Sequence, residues 1–479
     1  MDISELRVLM DKKEISSAEV VKTCLERISA SDNTIGAFLH INPKALETAA
    51  QAQKRIDAGH ADMFTGIPVG LKDNLCTMDM PTTCASRMLE GFTPPYDAAV
   101  VEKLRAQGAV LIGKLNMDEF AMGASTSTSY YKKTRNPFDI TRVPGGSSGG
   151  SAAAVSAGFC AVSLGSDTGG SIRQPASFCG VSGLRPTYGR VSRYGCVAFA
   201  SSLDQIGPIA SSAKDCALLL TAIEGKDTRD QTSTEGPPAR IRDVSLKGKR
   251  LGLIEELIVG DVEDETLAAV ESAALWYEKQ GAFVESVSLP MLKYAVPAYY
   301  LISSAEASAN LSRFDGVRYG YRPANPESYE SLVSGSRRDA FGWEVKRRIM
   351  LGSYALCSGY YDDYYKRAVR LADVIRSEYD KAFETYDALL SPVSPMAAFT
   401  FDNIPTDPAR LYLADICTVS AALAGLPALS TPCGYTGNGL PVGLMITGAR
   451  WDDYGILSLA DAFERAFNRK RPAFREVGQ

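Results

Sequence analysis

Histidine is nearly absent from this chain of 479 residues, since His40 and His60 are the only two. A Ser-His-Asp or Cys-His nucleophile system needs histidine, and so do most zinc sites. Any such scheme would have to pass through one of these two positions. The scarcity therefore directs the search for a catalytic base towards another type of residue.

The chain also lacks the usual signs of metal binding, secretion and membrane insertion. Its ten cysteines form no C-x-x-C pair and no spacing typical of metal ligands, so we expect no metal site. Scattered thiols are typical of small buried side chains in a reducing compartment. No apolar run approaches 18 residues, and the opening MDISELRVLMDKKE has no signal-peptide core. We expect a cytoplasmic protein that makes no membrane contact.

An excess of basic residues is missing too. The 51 Lys and Arg residues stand against 56 Asp and Glu residues, which gives a net charge of −5. Proteins that bind nucleic acid through their own surface usually carry a basic patch. The balance argues against such a binder, and leaves open a local RNA contact or one shared with a partner. An apolar content of 45% excludes a largely disordered chain.

The length of 479 residues fits one large α/β domain as well as roughly three smaller ones. Helical periodicity dominates residues 1–61, where SSAE after Ile15 has the form of a capping box. Residues 62–225 hold short apolar runs and many glycines, and we expect the catalytic core there. A strand–helix–strand unit follows over 251–284. We expect residues 290–400 to form a tyrosine-rich helical insertion near the substrate and partner side, and its tyrosines fit a ligand or partner surface as well as half-buried packing.

Two glycine-containing segments resemble nucleotide-binding motifs without matching them. Gly108–Lys114 is followed by leucine where a P-loop has Ser or Thr, and the predicted helix precedes it instead of following it. In Gly437–Gly443, Pro441 is incompatible with the helix that opens a dinucleotide site. We therefore expect no nucleotide site in this chain.

Two segments rich in serine and glycine are better candidates for chemistry. Residues 143–151 read VPGGSSGGS, which alone is typical of a flexible linker or an anion-binding nest. Residues 165–175 read GSDTGGSIRQP, and Ser171 there follows two glycines. Backbone N–H groups in such a turn can point at one oxygen, as an oxyanion hole requires. The neighbouring hydroxyls of Ser166 and Ser177 do not follow a Gly-Gly pair.

A serine nucleophile needs a base. Lysine can serve when burial lowers its pKa from about 10.4 towards neutrality. Lys72 is the candidate, because it lies in the apolar segment GIPVGLKDNL over residues 66–75. A solvated surface lysine is the alternative that the residues alone leave open.

Taken together, these three segments resemble the amidase signature family. Its members use a lysine, a serine that follows a non-proline cis peptide bond, and a nucleophilic serine. The resemblance assigns the base to Lys72, the bridging serine to Ser147 and the nucleophile to Ser171. It predicts a cis peptide between Gly146 and Ser147. It also implies a single domain over residues 1–479 with the family's α/β fold, one large mixed sheet covered by helices on both faces.

The resemblance also places the oxyanion hole at Thr168, Gly169 and Gly170. Within the family, the sequence most resembles the branch that hydrolyses glutamine in tRNA-dependent amidotransferases. Segments such as GLRPTYGRVSRYG, which starts at Gly183, carry this closer similarity. It extends from the first helix to about residue 475. It departs from the family pattern at residues 125–133 (STSTSYYKK), where a Glu-Asn pair is usual.

Glutamine hydrolysis implies a pocket for a zwitterion, with one cation for the α-carboxylate and one anion for the α-ammonium. By similarity to this branch, Arg348 is the expected cation, Asp415 the expected anion and Tyr299 a hydroxyl partner. Arg347 and Tyr300 are adjacent in sequence and compete for two of these assignments.

The resemblance further implies a carbon–nitrogen ligase that takes its amide nitrogen from glutamine. The chain would be one component of a heterotrimer with subunits B and C, and would itself carry no cofactor. ATP and Mg²⁺ are expected at the partner subunit, and misacylated tRNA is expected to bind through the complex. The product would be the amidated form of Glu-tRNA(Gln), with Asp-tRNA(Asn) as an open second substrate. A free-standing amidase acting on another small amide is the alternative, and the intact triad argues against a non-catalytic scaffold.

Overall fold

A mixed sheet of eleven strands runs through the part of the chain that the computed structural model describes, residues 2–237, 240–260, 262–404, 413–470 and 472. The strands are β1 Phe38–Ile41, β2 Pro68–Lys72, β3 Val110–Leu115, β4 Val162–Asp167, β5 Ser182–Arg185, β6 Gln205–Ala210, β7 Arg250–Ile254, β8 Phe283–Val287, β9 Ala388–Pro392, β10 Ala428–Tyr435 and β11 Pro441–Thr447. Their order is β1-β3-β2-β4-β6-β5-β10-β11-β9-β7-β8. The predicted α/β class with one large mixed sheet is confirmed.

Helices connect and cover these strands. They are α1 Ile3–Asp11, α2 Ser17–Ile35, α3 Ala45–Asp57, α4 Ala99–Ala106, α5 Gly149–Ser156, α6 Arg173–Phe178, α7 Ala213–Ile223, α8 Asp264–Lys279, α9 Ala295–Leu311, α10 Tyr329–Ala340, α11 Trp343–Leu356, α12 Lys366–Phe383, α13 Val419–Ala424 and α14 Asp453–Ala466. The predicted capping box is present at the start of α2, between Ser16 and Glu19. None of the helices in the described ranges is long and apolar enough to cross a bilayer.

The predicted division of the chain stays a prediction, and the elements within its regions are as follows. The N-terminal region is helical except for the short strand β1, which pairs antiparallel with β3. Helices α9 to α12 occupy the tyrosine-rich region and contribute to an apolar cluster that also includes residues near Met88, Phe120 and Phe199. Tyr299 and Tyr379 are buried in that cluster, which fits packing, whereas Tyr329 lies outside it and is 70% exposed. The ligand or partner surface stays a prediction. The domain extent of 1–479 stays a prediction, and residues 1, 238–239, 261, 405–412, 471 and 473–479 lie outside the described residues.

Strand β2 lies between β3 and β4 and runs parallel to both. All five of its residues are buried, which is the pattern of a strand covered on both faces. A Cβ at Gly70 would lie 2.5 Å from the Leu115 side chain, so a larger residue there would displace that leucine. Parallel strands end at the same edge of a sheet. Lys72 at the end of β2 is thereby placed near Asp167 at the end of β4.

Candidate active site

Three segments meet at this edge of the sheet. Lys72 is the last residue of β2, Ser147 lies in the loop that enters α5, and Ser171 lies in the turn between β4 and α6. The two serine segments are joined directly, since the Ser148 N–H donates to the Ser171 carbonyl over 3.1 Å. Ser171 is 8% exposed. The structure therefore brings together all three residues of the predicted triad.

Lys72 is completely buried, so the interpretation as a surface lysine is wrong. Its Nζ lies 2.7 Å from Ser147 Oγ, 2.9 Å from Ser166 Oγ and 3.2 Å from the Ser166 carbonyl oxygen. Burial lowers the pKa of Lys72 to about 8, although the carboxylates of Asp118 and Asp167 oppose the shift. A lysine with this pKa is partly neutral near pH 7 and can accept a proton.

The loop that carries Ser147 packs closely against its surroundings. The peptide between Gly146 and Ser147 is cis, as the resemblance predicted. A Cβ at Gly146 would lie 2.1 Å from Asp118 Oδ2 and 2.5 Å from the Ser125 nitrogen, so only glycine fits there. The Gly146 N–H donates to Gln174 Oε1 over 2.9 Å. These contacts hold the Ser147 hydroxyl next to the lysine amine.

The turn that carries the candidate nucleophile is built around the Asp167 carboxylate. This carboxylate accepts the N–H of Gly170 over 2.9 Å and the N–H of Ile172 over 3.2 Å. It also pairs with Arg173 at 3.0 Å and with Arg185 at 3.3 Å. Burial alone would raise the pKa of Asp167, but the two guanidiniums outweigh it and hold the pKa well below its usual range. The carboxylate is thus a fixed charge that shapes the turn.

The three predicted oxyanion residues differ in what their polar groups do. The Thr168 hydroxyl donates to Asp204 Oδ1 over 2.7 Å. In the described ranges, the N–H groups of Thr168, Gly169 and Ser171 donate no hydrogen bond. The Gly170 N–H is engaged by Asp167, so it is not available to an oxyanion in the way the resemblance implies. The N–H groups of Gly169 and Ser171, which remain available, lie on either side of the peptide between Gly169 and Gly170.

Arg348, Tyr300 and Asp415 form a second polar cluster. The Tyr300 hydroxyl donates to Asp415 Oδ2 over 2.9 Å, and the Arg348 guanidinium carbon lies 4.5 Å from the centre of the Tyr300 ring. Arg348 also donates from Nε to Glu344 Oε1 over 2.7 Å. Burial raises the pKa of Asp415 to about 7, although the Tyr300 hydrogen bond and Arg348 oppose the shift. A cation and an anion thus contact the same tyrosine.

The residues that compete for the substrate-binding assignments have different contacts in the structure, and their roles stay predictions. Tyr299 packs against the nucleophile turn, because a Cβ at Gly169 would lie 2.6 Å from the Tyr299 hydroxyl, and burial raises its pKa. The next residue of α9, Tyr300, is the one that contacts the carboxylate. Both arginines of α11 pair with Glu344. The Arg348 side chain is 5% exposed and stacks on Tyr300, whereas the Arg347 side chain is 16% exposed.

Sequence reasoning did not find the further partners of the lysine. Ser166 accepts hydrogen bonds from Lys72 and from Asn74 Nδ2, the latter over 3.0 Å. Asn74 follows Lys72 by two residues and Ser166 lies in the same motif as Ser171, so only their closeness to these motifs in sequence could have indicated them.

The divergent segment 125–133 also reaches the site. Its Thr126 donates to the Gly145 carbonyl over 2.8 Å, at the base of the Ser147 loop.

Comparison with known proteins gives consistent matches. A family model described as Amidase matches residues 19–457. The A subunit of glutamyl-tRNA(Gln) amidotransferase from Ruminiclostridium cellulolyticum is 52% identical over 475 residues, 98% of either chain. The crystal structure of the A subunit of the same enzyme from Thermotoga maritima has a TM-score of 0.80 and 41% identity, and covers 97% of this chain and 94% of that one. The peptide amidase of Stenotrophomonas maltophilia has a TM-score of 0.84 at 31% identity, over 99% and 98% of the chains.

Proposed function

The chain belongs to the amidase family, and we propose that it hydrolyses glutamine as the A subunit of a tRNA-dependent amidotransferase. The observation that carries the proposal is the pairing of Arg348 and Asp415 around Tyr300, beside a buried lysine and two serines. Free glutamine carries a carboxylate and an ammonium on its α-carbon, which match these two charges. Relatives that bear the name of this amidotransferase component, about half identical over nearly the whole chain, support the same function.

In the proposed reaction, the Ser171 hydroxyl attacks the side-chain amide carbon of glutamine. Its proton passes through Ser147 to neutral Lys72, whose amine lies 2.7 Å from the Ser147 hydroxyl. The N–H groups of Gly169 and Ser171, with that of Thr168, stabilise the oxyanion. Collapse of the tetrahedral intermediate breaks the C–N bond, and ammonia leaves with the proton returned from Lys72. Water then hydrolyses the glutamyl ester and releases glutamate.

Replacing Arg348 by glutamine should raise the KM for glutamine at least about 30-fold with a smaller change in kcat, because the pocket loses its partner for the α-carboxylate. Arg347→Gln is the matched control. It removes the neighbouring guanidinium that shares Glu344 and should change KM less than about threefold. Steady-state measurement of glutamate release gives both values. Equal effects of the two variants would contradict the assignment.

The ammonia would serve a partner subunit, because the sequence of this chain carries no convincing ATP motif and its net charge is −5. We propose a heterotrimer with subunits B and C, in which ATP and Mg²⁺ act at the partner and tRNA binds through the complex. The test is the complete reaction. The chain purified with those subunits should convert Glu-tRNA(Gln) to Gln-tRNA(Gln) with glutamine, ATP and Mg²⁺, and omission of this chain should leave only the reaction driven by added ammonia.

A free-standing amidase is the second candidate, favoured by the likeness to the peptide amidase. An enzyme acting on an uncharged amide would not need the Arg348 and Asp415 charges. The two functions are separated by assaying a C-terminal peptide amide in parallel with glutamine. Faster turnover of the peptide amide by the chain with its partners would overturn the proposal.

A further inference from the structure

The peptide between Gly169 and Gly170 is held at both ends by side chains from different parts of the fold. Its carbonyl oxygen accepts the Thr418 hydroxyl over 2.5 Å, and its N–H donates to Asp167 Oδ1 over 2.9 Å. Gly170 has a φ of +139°, and a Cβ there would lie 2.2 Å from Thr418 Oγ1. The threonine is thus packed directly on the glycine pair that precedes the candidate nucleophile.

Thr418 is itself fixed by its surroundings. It is fully buried, immediately before α13, and its carbonyl accepts Nη1 of Arg173 over 2.9 Å. Because Arg173 also pairs with Asp167, the contacts form a closed ring. This ring runs from Asp167 through the Gly169–Gly170 peptide to Thr418 and returns through Arg173. A closed ring of buried hydrogen bonds resists rotation of any one member.

The same threonine contacts the substrate side of the pocket. Its hydroxyl lies 3.1 Å from the Asp415 carbonyl oxygen, and its N–H donates to that oxygen over 3.0 Å. Thr418 thereby links the segment that carries the proposed ammonium-binding carboxylate to the turn that carries the nucleophile. These two segments are far apart in sequence, and Thr418 is where they meet.

We infer that Thr418 is a positioning residue for the hydrolysis of glutamine. Fixing the Gly169–Gly170 peptide sets the direction of the N–H groups on either side of it, those of Gly169 and Ser171. Those N–H groups are the proposed oxyanion donors. Thr418 contacts neither the nucleophile hydroxyl nor the lysine among the described contacts, so it acts through the turn. This inference rests on the proposed function.

The test compares variants of the full-length chain purified with its partner subunits. Thr418→Val keeps the shape and removes the hydroxyl. It should lower kcat for glutamine hydrolysis about 10- to 100-fold, as small misplacement of transition-state donors does, and change KM less than about threefold. Thr418→Ser keeps the hydroxyl and should restore kcat to within about threefold of the parent. Thr418→Ala is the second variant without a hydroxyl, for use if the valine variant does not fold.

Thr447→Val is the matched control, since Thr447 is buried in β11 and its hydroxyl has no hydrogen-bond partner in the described structure. It should leave kcat unchanged. The ammonia-dependent reaction should be normal in every variant, which shows that the complex has assembled. Parent-like kcat in Thr418→Val or Thr418→Ala, or a Thr418→Ser variant as slow as either, would overturn the inference. Glutaminase activity that survives Ser171→Ala would instead overturn the proposed function.

Discussion

Ser171→Ala should lower the glutamine-dependent kcat by about 10⁵- to 10⁶-fold, because alanine lacks the hydroxyl oxygen that forms the glutamyl ester. The same variant should keep the ammonia-dependent amidation of Glu-tRNA(Gln) nearly intact, since free ammonia bypasses this site. The loss of one reaction and the survival of the other separate a chemical role of Ser171 from a role in folding. The measurement is the rate of Gln-tRNA(Gln) formation with each nitrogen donor.

Ser177→Ala is the control for this variant. Ser177 is the next serine along the chain and is also buried, in α6. Its loss should change the glutamine-dependent rate less than about tenfold, as is usual for a buried hydroxyl outside the reacting atoms. A collapse of the rate in Ser177→Ala with a mild effect in Ser171→Ala would reverse the assignment of the nucleophile.

Lys72→Arg should lower the glutamine-dependent kcat by about 10³-fold or more, although it keeps a positive charge. A guanidinium stays protonated at any pH at which the protein is stable, so it cannot accept the proton that passes through Ser147. The variant also places a larger group in a site that is completely buried. Lys72→Met removes the charge at similar length and should be as inactive as Lys72→Arg. Equal losses with and without the charge would indicate that the missing function is proton transfer.

The pH dependence gives an independent check on Lys72. Activity requires the neutral amine, and burial lowers the pKa of Lys72 to about 8. The logarithm of kcat/KM should therefore rise with pH below about 8 and level off above it. Asp415, with its pKa raised to about 7 by burial, should add a further loss as the pH falls through 7, because the protonated acid no longer pairs with the α-ammonium. Activity that falls as the pH rises from 6 to 8 would contradict both roles.

Much of the site could be predicted from sequence because its chemistry is concentrated in short segments. Lys72, Ser147 and Ser171 each lie in a motif whose residue types restrict what the backbone can do there. The glycine at position 146 is an example, since the structure leaves no room for a Cβ. The fold class followed from the same resemblance. The burial of Lys72 was also expected, of a base that lies in an apolar segment, and the structure adds its cause, since β3 and β4 lie on either side of its strand.

The details that were missed or left open depend on contacts between distant segments. Tyr299 and Tyr300 are adjacent in α9, and only the positions of Gly169 and Asp415 decide which tyrosine meets which group. The Gly170 N–H is engaged by a carboxylate that no motif marks as its partner. Thr418 follows Ser171 by more than two hundred residues, so no local pattern connects them.

The most direct test of the account is to identify the covalent intermediate. The full-length chain with its partner subunits is mixed with glutamine, quenched in acid within the first turnovers and digested for mass spectrometry. We predict a glutamyl adduct on the peptide that contains Ser171, absent from Ser171→Ala and more abundant when deacylation is slowed. An adduct on a peptide that carries Ser166 or Ser177 without Ser171, or an adduct that persists in Ser171→Ala, would contradict the central claim that Ser171 is the nucleophile of a glutaminase.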